Sequence, residues 1–240
     1  MSMSSRRIRA IVRKELREYR RTPSIVVTMA IIPLIFLVQP LVVVLGLTAS
    51  SAGPLAHEHV LLYLLGIPAL VPVLIAAYAV AGERQQGTLE PLLTTPIRRE
   101  ELLLGKALAS LLPSAAVAYA VYAVFIACVE LFADPAVASA LLQWPQILAQ
   151  VLFTPLIATW SIWAGMGISA KFTDVRVSQQ LGLLAGLPTV ALTSLIAFDV
   201  IHPTPGRALA LVAALLLLDG LGWRIVSAVF DRERLITGTR

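Results

Sequence analysis

The chain has 240 residues, of which 58% are hydrophobic and only 14% charged, with a formal net charge of +5. Ordinary globular domains carry about 25% charged residues, so this composition excludes a soluble domain and defines an integral membrane protein. The single Cys128 excludes a disulfide framework within the chain.

Residues 5–21, SRRIRAIVRKELREYRR, place Ile8, Val12, Leu16 and Tyr19 on one stripe of a helix otherwise lined with Arg, Lys and Glu. Such a helix should lie in the membrane interface. A solvated basic tail is the alternative. A cleaved leader ending near LTASSAG at 47–53 is disfavoured, because the charged lead carries Glu15 and Glu18 and the apolar stretch is long for a signal sequence. Pro23 in RTPS should break the helix before the membrane.

Six apolar runs follow, at 25–48, 60–81, 107–130, 146–168, 179–198 and 208–229, each close to the about 20 residues needed to cross a hydrocarbon core. The fold class is therefore all-α, a polytopic membrane protein. It divides into an interfacial helix at 1–24, a transmembrane domain at 25–229 and a C-terminal tail at 230–240. Lys and Arg cluster before span one, between spans two and three, between spans four and five, and after span six, with Arg207 as the one cation elsewhere. Because such residues stay on the cytoplasmic side, both termini are expected inside. The positive charge is thus a topology signal and gives no reason to expect nucleic-acid binding.

Within the membrane, Pro33 and Pro40 in span one and Pro68 and Pro72 in span two should kink their helices, leaving carbonyls for neighbours to satisfy. Gln39 either lines a path or satisfies such a carbonyl. Gly182 and Gly186 form a small-xxx-small pair, suited to close packing against another span or another subunit. Pro188 and FDVIHPTPG at 198–206 suggest a bent or partly re-entrant outer end of span five. Asp219, in the middle of span six, costs about 2.5–3.5 kcal/mol to insert. It either lines a path or makes a structural hydrogen bond. His57, Glu58 and His59 are adjacent in the first external loop, a pattern that without further ligands does not make a metal site. Trp144, Trp160, Trp163 and Trp223 fall toward span ends, as an aromatic belt would.

Between spans two and three lies a polar strip, residues 82–106, that reads turn, helix, turn, helix. Gly87 should end the extension of span two, Thr88 cap a short helix bearing Leu89, Leu92 and Leu93, and Pro96 break it. Arg98 to Leu104 should then run amphipathically into Gly105, Lys106 and span three. A simple connection would be far shorter, so the strip reads as a docking site.

The run GERQQGTLEPLLTTPIRREELLLGK resembles the signature of ABC-2-type permeases, the transmembrane subunits of bacterial and archaeal ATP-binding-cassette exporters. The resemblance extends to the layout of the whole chain and to FDRERL at 230–235. It implies that the strip forms coupling helices contacting a cytoplasmic ABC ATPase subunit, with Glu83, Arg84, Gly87, Thr88, Glu90, Leu93, Pro96 and Lys106 carrying that role. It also implies two permease copies, as a homodimer or a heterodimer with another permease, surrounded by membrane lipid, in the plasma membrane. ATP and Mg would belong to the partner ATPase, with no cofactor and no catalysis in this chain. In agreement, no G-x-x-x-x-G-K-[ST] phosphate loop occurs in the sequence. The large external domain that some relatives carry between spans one and two is absent, which weakens any choice of cargo by analogy. An intramembrane enzyme finds no support, since there is no H-E-x-x-H and Glu100-Glu101 lies in the strip outside a span. A channel or assembly scaffold would leave the strip unexplained.

Overall fold

The computed structural model describes residues 4–51, 53, 59–85, 87, 97–172, 174–202 and 204–230. Among the described residues, eight α-helices carry the fold: α1 Ser5–Arg21, α2 Pro23–Leu45, α3 Gly66–Gln85, α4 Arg99–Phe132, α5 Pro135–Leu141, α6 Trp144–Ser169, α7 Val175–Ala197 and α8 Pro205–Val229. Six of the segments are long and apolar enough to span a membrane, the second being α3 with the 3₁₀ turns Val60–Leu65 that lead into it. The short α5 starts on Asp134, whose side chain accepts from the Ala136 N–H, and connects spans three and four on the outer side.

The helix boundaries follow local chemistry. Extended Thr22 separates α1 from α2, and Pro23 opens α2 at its first turn, where a missing N–H costs nothing. α2 remains helical through Pro33 and Pro40, both of which are buried. Pro68 falls in the first turn of α3 and only Pro72 is interior. The expected help from neighbours is present: Ser161 on α6 donates to the Ala69 carbonyl, three residues before Pro72, at 2.9 Å. Span five is helical through Pro188 and stops at Ala197. Beyond it Asp199 takes a left-handed conformation, φ 56°, in an irregular link to α8 rather than a re-entrant helix.

The centre of the bundle is α3. Of the apolar window of span two, 83% is buried, against 11% for α8 and 22% for α2. Spans one, three, four and five pack around it, and small residues permit the approach. A Cβ on Gly165 would lie 2.5 Å from the Val73 carbonyl, and one on Gly186 2.9 Å from Leu70 Cδ2 and 3.2 Å from the Ala69 carbonyl. Gly182 likewise faces Val73 and Ala77. The Gly182/Gly186 pair thus seats α7 on α3 inside one chain, the first of the two alternatives that its spacing leaves open. The outer faces expose leucine and valine, as lipid-facing surfaces do, with Leu209 and Leu217 among the most exposed.

One further expectation changes. Trp144 is exposed at a span end, as a belt residue should be. Trp163, however, is buried and meets Trp223 edge-on at 5.4 Å, over Gly222. This pair joins α6 to α8 by packing. Gly105 lies inside a continuous α4, whose first turns are formed by the segment up to Leu104 expected to run into span three.

Candidate functional site

The cytoplasmic strip springs from the end of α3 and the start of α4. Gln85 is the last residue of α3, and Gly87 has φ 67°, the left-handed conformation that glycine adopts without a Cβ penalty. Thr88, Glu90, Leu93 and Pro96 lie outside the described residues, as does the side chain of Arg84. The structure therefore describes the two stems of the strip.

Those stems are tied by charge. Glu83, in the last turn of α3, and Lys106, in the second turn of α4, are both buried. Lys106 Nζ lies 2.9 Å from Glu83 Oε2. The ammonium also donates to Glu15 Oε1 of α1 at 3.0 Å and to the Ala79 carbonyl of α3 at 2.8 Å. Three oxygens from two other helices thus surround a three-donor group.

A second lysine completes the cluster. Lys14 donates to Glu83 Oε1 at 2.6 Å and to Glu15 Oε1 at 3.2 Å, and pairs with Glu18 at 3.3 Å. Two buried carboxylates therefore face two ammonium groups. Burial pushes the Glu15 carboxyl up, but the Lys106 and Lys14 charges outweigh it and hold Glu15 below its ordinary value. Partial burial pulls Lys14 down, yet Glu15, Glu83 and Glu18 outweigh that and hold it above its ordinary value. Ions taken out of water cost several kcal/mol each unless paired and hydrogen-bonded, and here they are paired.

The cluster is one rung of a longer contact between α1 and α4. Below it, Glu101 accepts from the Ser4 N–H at 2.8 Å, from Arg7 at 3.3 Å and from the Arg98 N–H at 3.2 Å. Gly105 admits Ile11: a Cβ there would lie 2.6 Å from Ile11 Cγ2. Above it, the Tyr19 hydroxyl meets Ser110 Oγ at 3.3 Å. Contacts climb both helices together, so α1 runs alongside the start of α4 in the same direction. Its buried face is centred on Ile11, Glu15 and Tyr19, with Ile8, Val12 and Leu16 half-buried at the flanks. The expected stripe is corrected by one step: burial of Glu15 follows from Lys106, a partner that helical periodicity does not reveal.

The remaining expected site residues are scattered. Gln39 is exposed on the outer face of α2, in a shallow cleft with Tyr63 and Phe198. Asp219 is half-buried on α8, its Oδ1 without a hydrogen-bond partner among the described residues. His57 and Glu58 lie outside the described residues. His59 donates its backbone N–H to the Ala197 carbonyl, and no group of three metal-ligating side chains occurs among the described residues. Glu101, Glu15 and Lys14 were not singled out from sequence as site residues. The available signal was an acid and a base placed just inside adjacent span ends, at 83 and 106.

Six helices long and apolar enough to span a membrane, packed around one central span whose end is tied by charge to the start of the third, define a multi-pass membrane protein. The family model described as ABC-2 family transporter protein matches residues 9–230. The chain belongs to that family and is a permease of an ABC-type transporter. No curated protein matches it.

Proposed function

We propose that the chain is the membrane-spanning half of an ATP-driven exporter whose energy comes from a separate ABC ATPase docking on the strip at 82–106. The observation that carries this reading is the Glu83–Lys106 pairing with Glu15 and Lys14. It makes the two stems of the strip and α1 one stiff unit, and a stiff unit continuous with spans two and three can pass a push from the cytoplasm into the bundle. Glu83 and Lys106, being buried, serve as positioning residues. The contact surface proper falls to Gly87, Thr88, Glu90, Leu93, Pro96 and Arg84.

The path itself is proposed to lie between two copies. In one copy α3 fills the centre, so a central path would have to displace it. Gln39 on the outward face of α2 is then available to line the shared path, while Asp219 is a candidate for it from α8. A largely apolar path favours hydrophobic or amphiphilic cargo, and export is inferred from the family resemblance. Catalysis is expected on the partner, which would hold ATP and Mg. The test is transport-coupled ATPase activity of the co-expressed complex in vesicles. Gly87→Val and Glu83→Gln should insert normally and lower that activity, and full activity in both variants overturns the coupling role.

A further inference from the structure

Between α6, α7 and α8, in the half of the bundle that holds the outer ends of these spans, is a cleft of about 210 Å³. Its walls are apolar, built from Leu62, Phe153, Leu192, Leu211, Leu215 and others. Thr193, the polar residue deepest in α7's wall, turns its hydroxyl back to the Val190 carbonyl of its own helix. Along α8 the lining runs from Arg207 to Leu218, about 16 Å of helix. That is about half of a hydrocarbon core roughly 30 Å thick, or one leaflet.

The mouth of the cleft carries charge. Arg207 is the one cation among all Lys and Arg that does not fall at a cytoplasmic span end. It is exposed, and one of its nitrogens donates to the His202 carbonyl at 2.8 Å, which fixes it at the rim. The neighbouring acid, Asp199, is occupied by His202 Nδ1 at 2.7 Å and faces His59 Nε2 at 3.9 Å. Among the described residues the rim therefore presents Arg207 as its lasting cation, with Asp199 turned to the two histidines, above an apolar slot one leaflet deep. A guanidinium is the side chain best matched to a phosphate oxygen pair, and an apolar slot open at a charged rim matches the tail below such a head group.

We propose that this cleft is a binding site for an anionic phospholipid of the outer leaflet, with its phosphate on Arg207 and one acyl chain along α8 between α6 and α7. The site does not depend on the ATPase reading, and the experiment uses the chain alone.

The test places a bimane fluorophore on a cysteine at the cleft rim, Leu192→Cys, or on the lipid-facing side of α8, Leu209→Cys, each with Cys128→Ser. The chains are held in nanodiscs of phosphatidylcholine, into which spin-labelled phosphatidylglycerol or spin-labelled phosphatidylcholine is titrated. At 192, quenching by phosphatidylglycerol is expected at a several-fold lower mole fraction than by phosphatidylcholine. At 209 the two lipids should quench alike, and Arg207→Gln should abolish the difference at 192. Equal quenching at 192, or a preference untouched by Arg207→Gln, overturns the site. Absence of quenching by either lipid at 192 also overturns it and marks the cleft as covered by protein.

Discussion

Lys106 on α4 and Glu83 on α3 are 2.9 Å apart and fully desolvated, at the base of a strip whose two ends their helices supply. The pair fixes the separation of those helices at the point where the strip leaves the bundle. Glu83 and Lys106, two of the residues drawn from the family signature, are thus buried ties within the chain.

Breaking the tie from one side leaves a buried charge without its partner, which costs about 3–5 kcal/mol. Lys106→Met should therefore lower thermal stability in detergent substantially, since it leaves the two buried carboxylates Glu15 and Glu83 sharing only the half-exposed Lys14. Glu83→Gln should do less, because Glu15 still faces both lysines. In a double-mutant cycle the two changes should be strongly non-additive; simple additivity, measured by thermal unfolding, would show that the pair is not coupled.

Gly105 is required by α1 rather than by the backbone of α4. Gly105→Ala puts a methyl group 2.6 Å from Ile11 Cγ2, and overpacking of this kind costs about 1–3 kcal/mol. Ile11→Gly in the same chain, which removes both the Cγ2 at 2.6 Å and the Cβ at 2.8 Å, should recover part of the loss. The recovery is checked by proteolytic release of α1, which the single variant should accelerate. A double variant no better than the single one would mean that α1 does not dock there.

The charge cluster also sets a pH window. Glu15 is held below its ordinary value near 4.5, so the stability it contributes is present above that value and is lost as pH falls through its lower folded value. Lys14 is held above 10.5, so its contribution is present below 10.5 and is lost only as pH rises through its higher folded value. Unfolding monitored from pH 3 to 9 should show a stability plateau with an acid limb below about 4.5. Glu15→Gln should make that limb shallower. An unchanged limb would place the acid sensitivity elsewhere.

Substitution on the α7 face toward α3 should damage the fold of a single chain. Gly186→Leu drives a side chain into Leu70 and the Ala69 carbonyl, and should lower the folded yield. The material that does fold should keep the oligomeric state of the parent chain, read by light scattering with detergent correction. A well-folded chain that has merely lost its partner would assign the glycines to a subunit interface after all.

Much of this architecture was legible because lipid makes membrane spans easy to read: runs of apolar residues, Thr22-Pro23 as a break, Gly87 as a stop. What sequence patterns concealed were relations across distance. Glu15 looks solvated on an amphipathic helix until Lys106, 91 positions away, is placed beside it. Gly182 and Gly186 announced a close helix approach without saying whose helix. Trp163 resembled a belt residue by position along its span, yet its azimuth turns it onto Trp223. Gly105 was legible as part of the run into span three, but its use in seating Ile11, 94 positions earlier, was not.

The central claim, that the strip at 82–106 docks a separate ATPase, is tested most directly by purifying the tagged chain from its native host in mild detergent and identifying by mass spectrometry what accompanies it. The account predicts a stoichiometric P-loop ATPase that is lost when residues of the strip are replaced, Gly87→Val and Leu93→Asp together, while the chain still inserts. Reproducible recovery of the chain without any ATPase, or an ATPase retained by that variant, would contradict it.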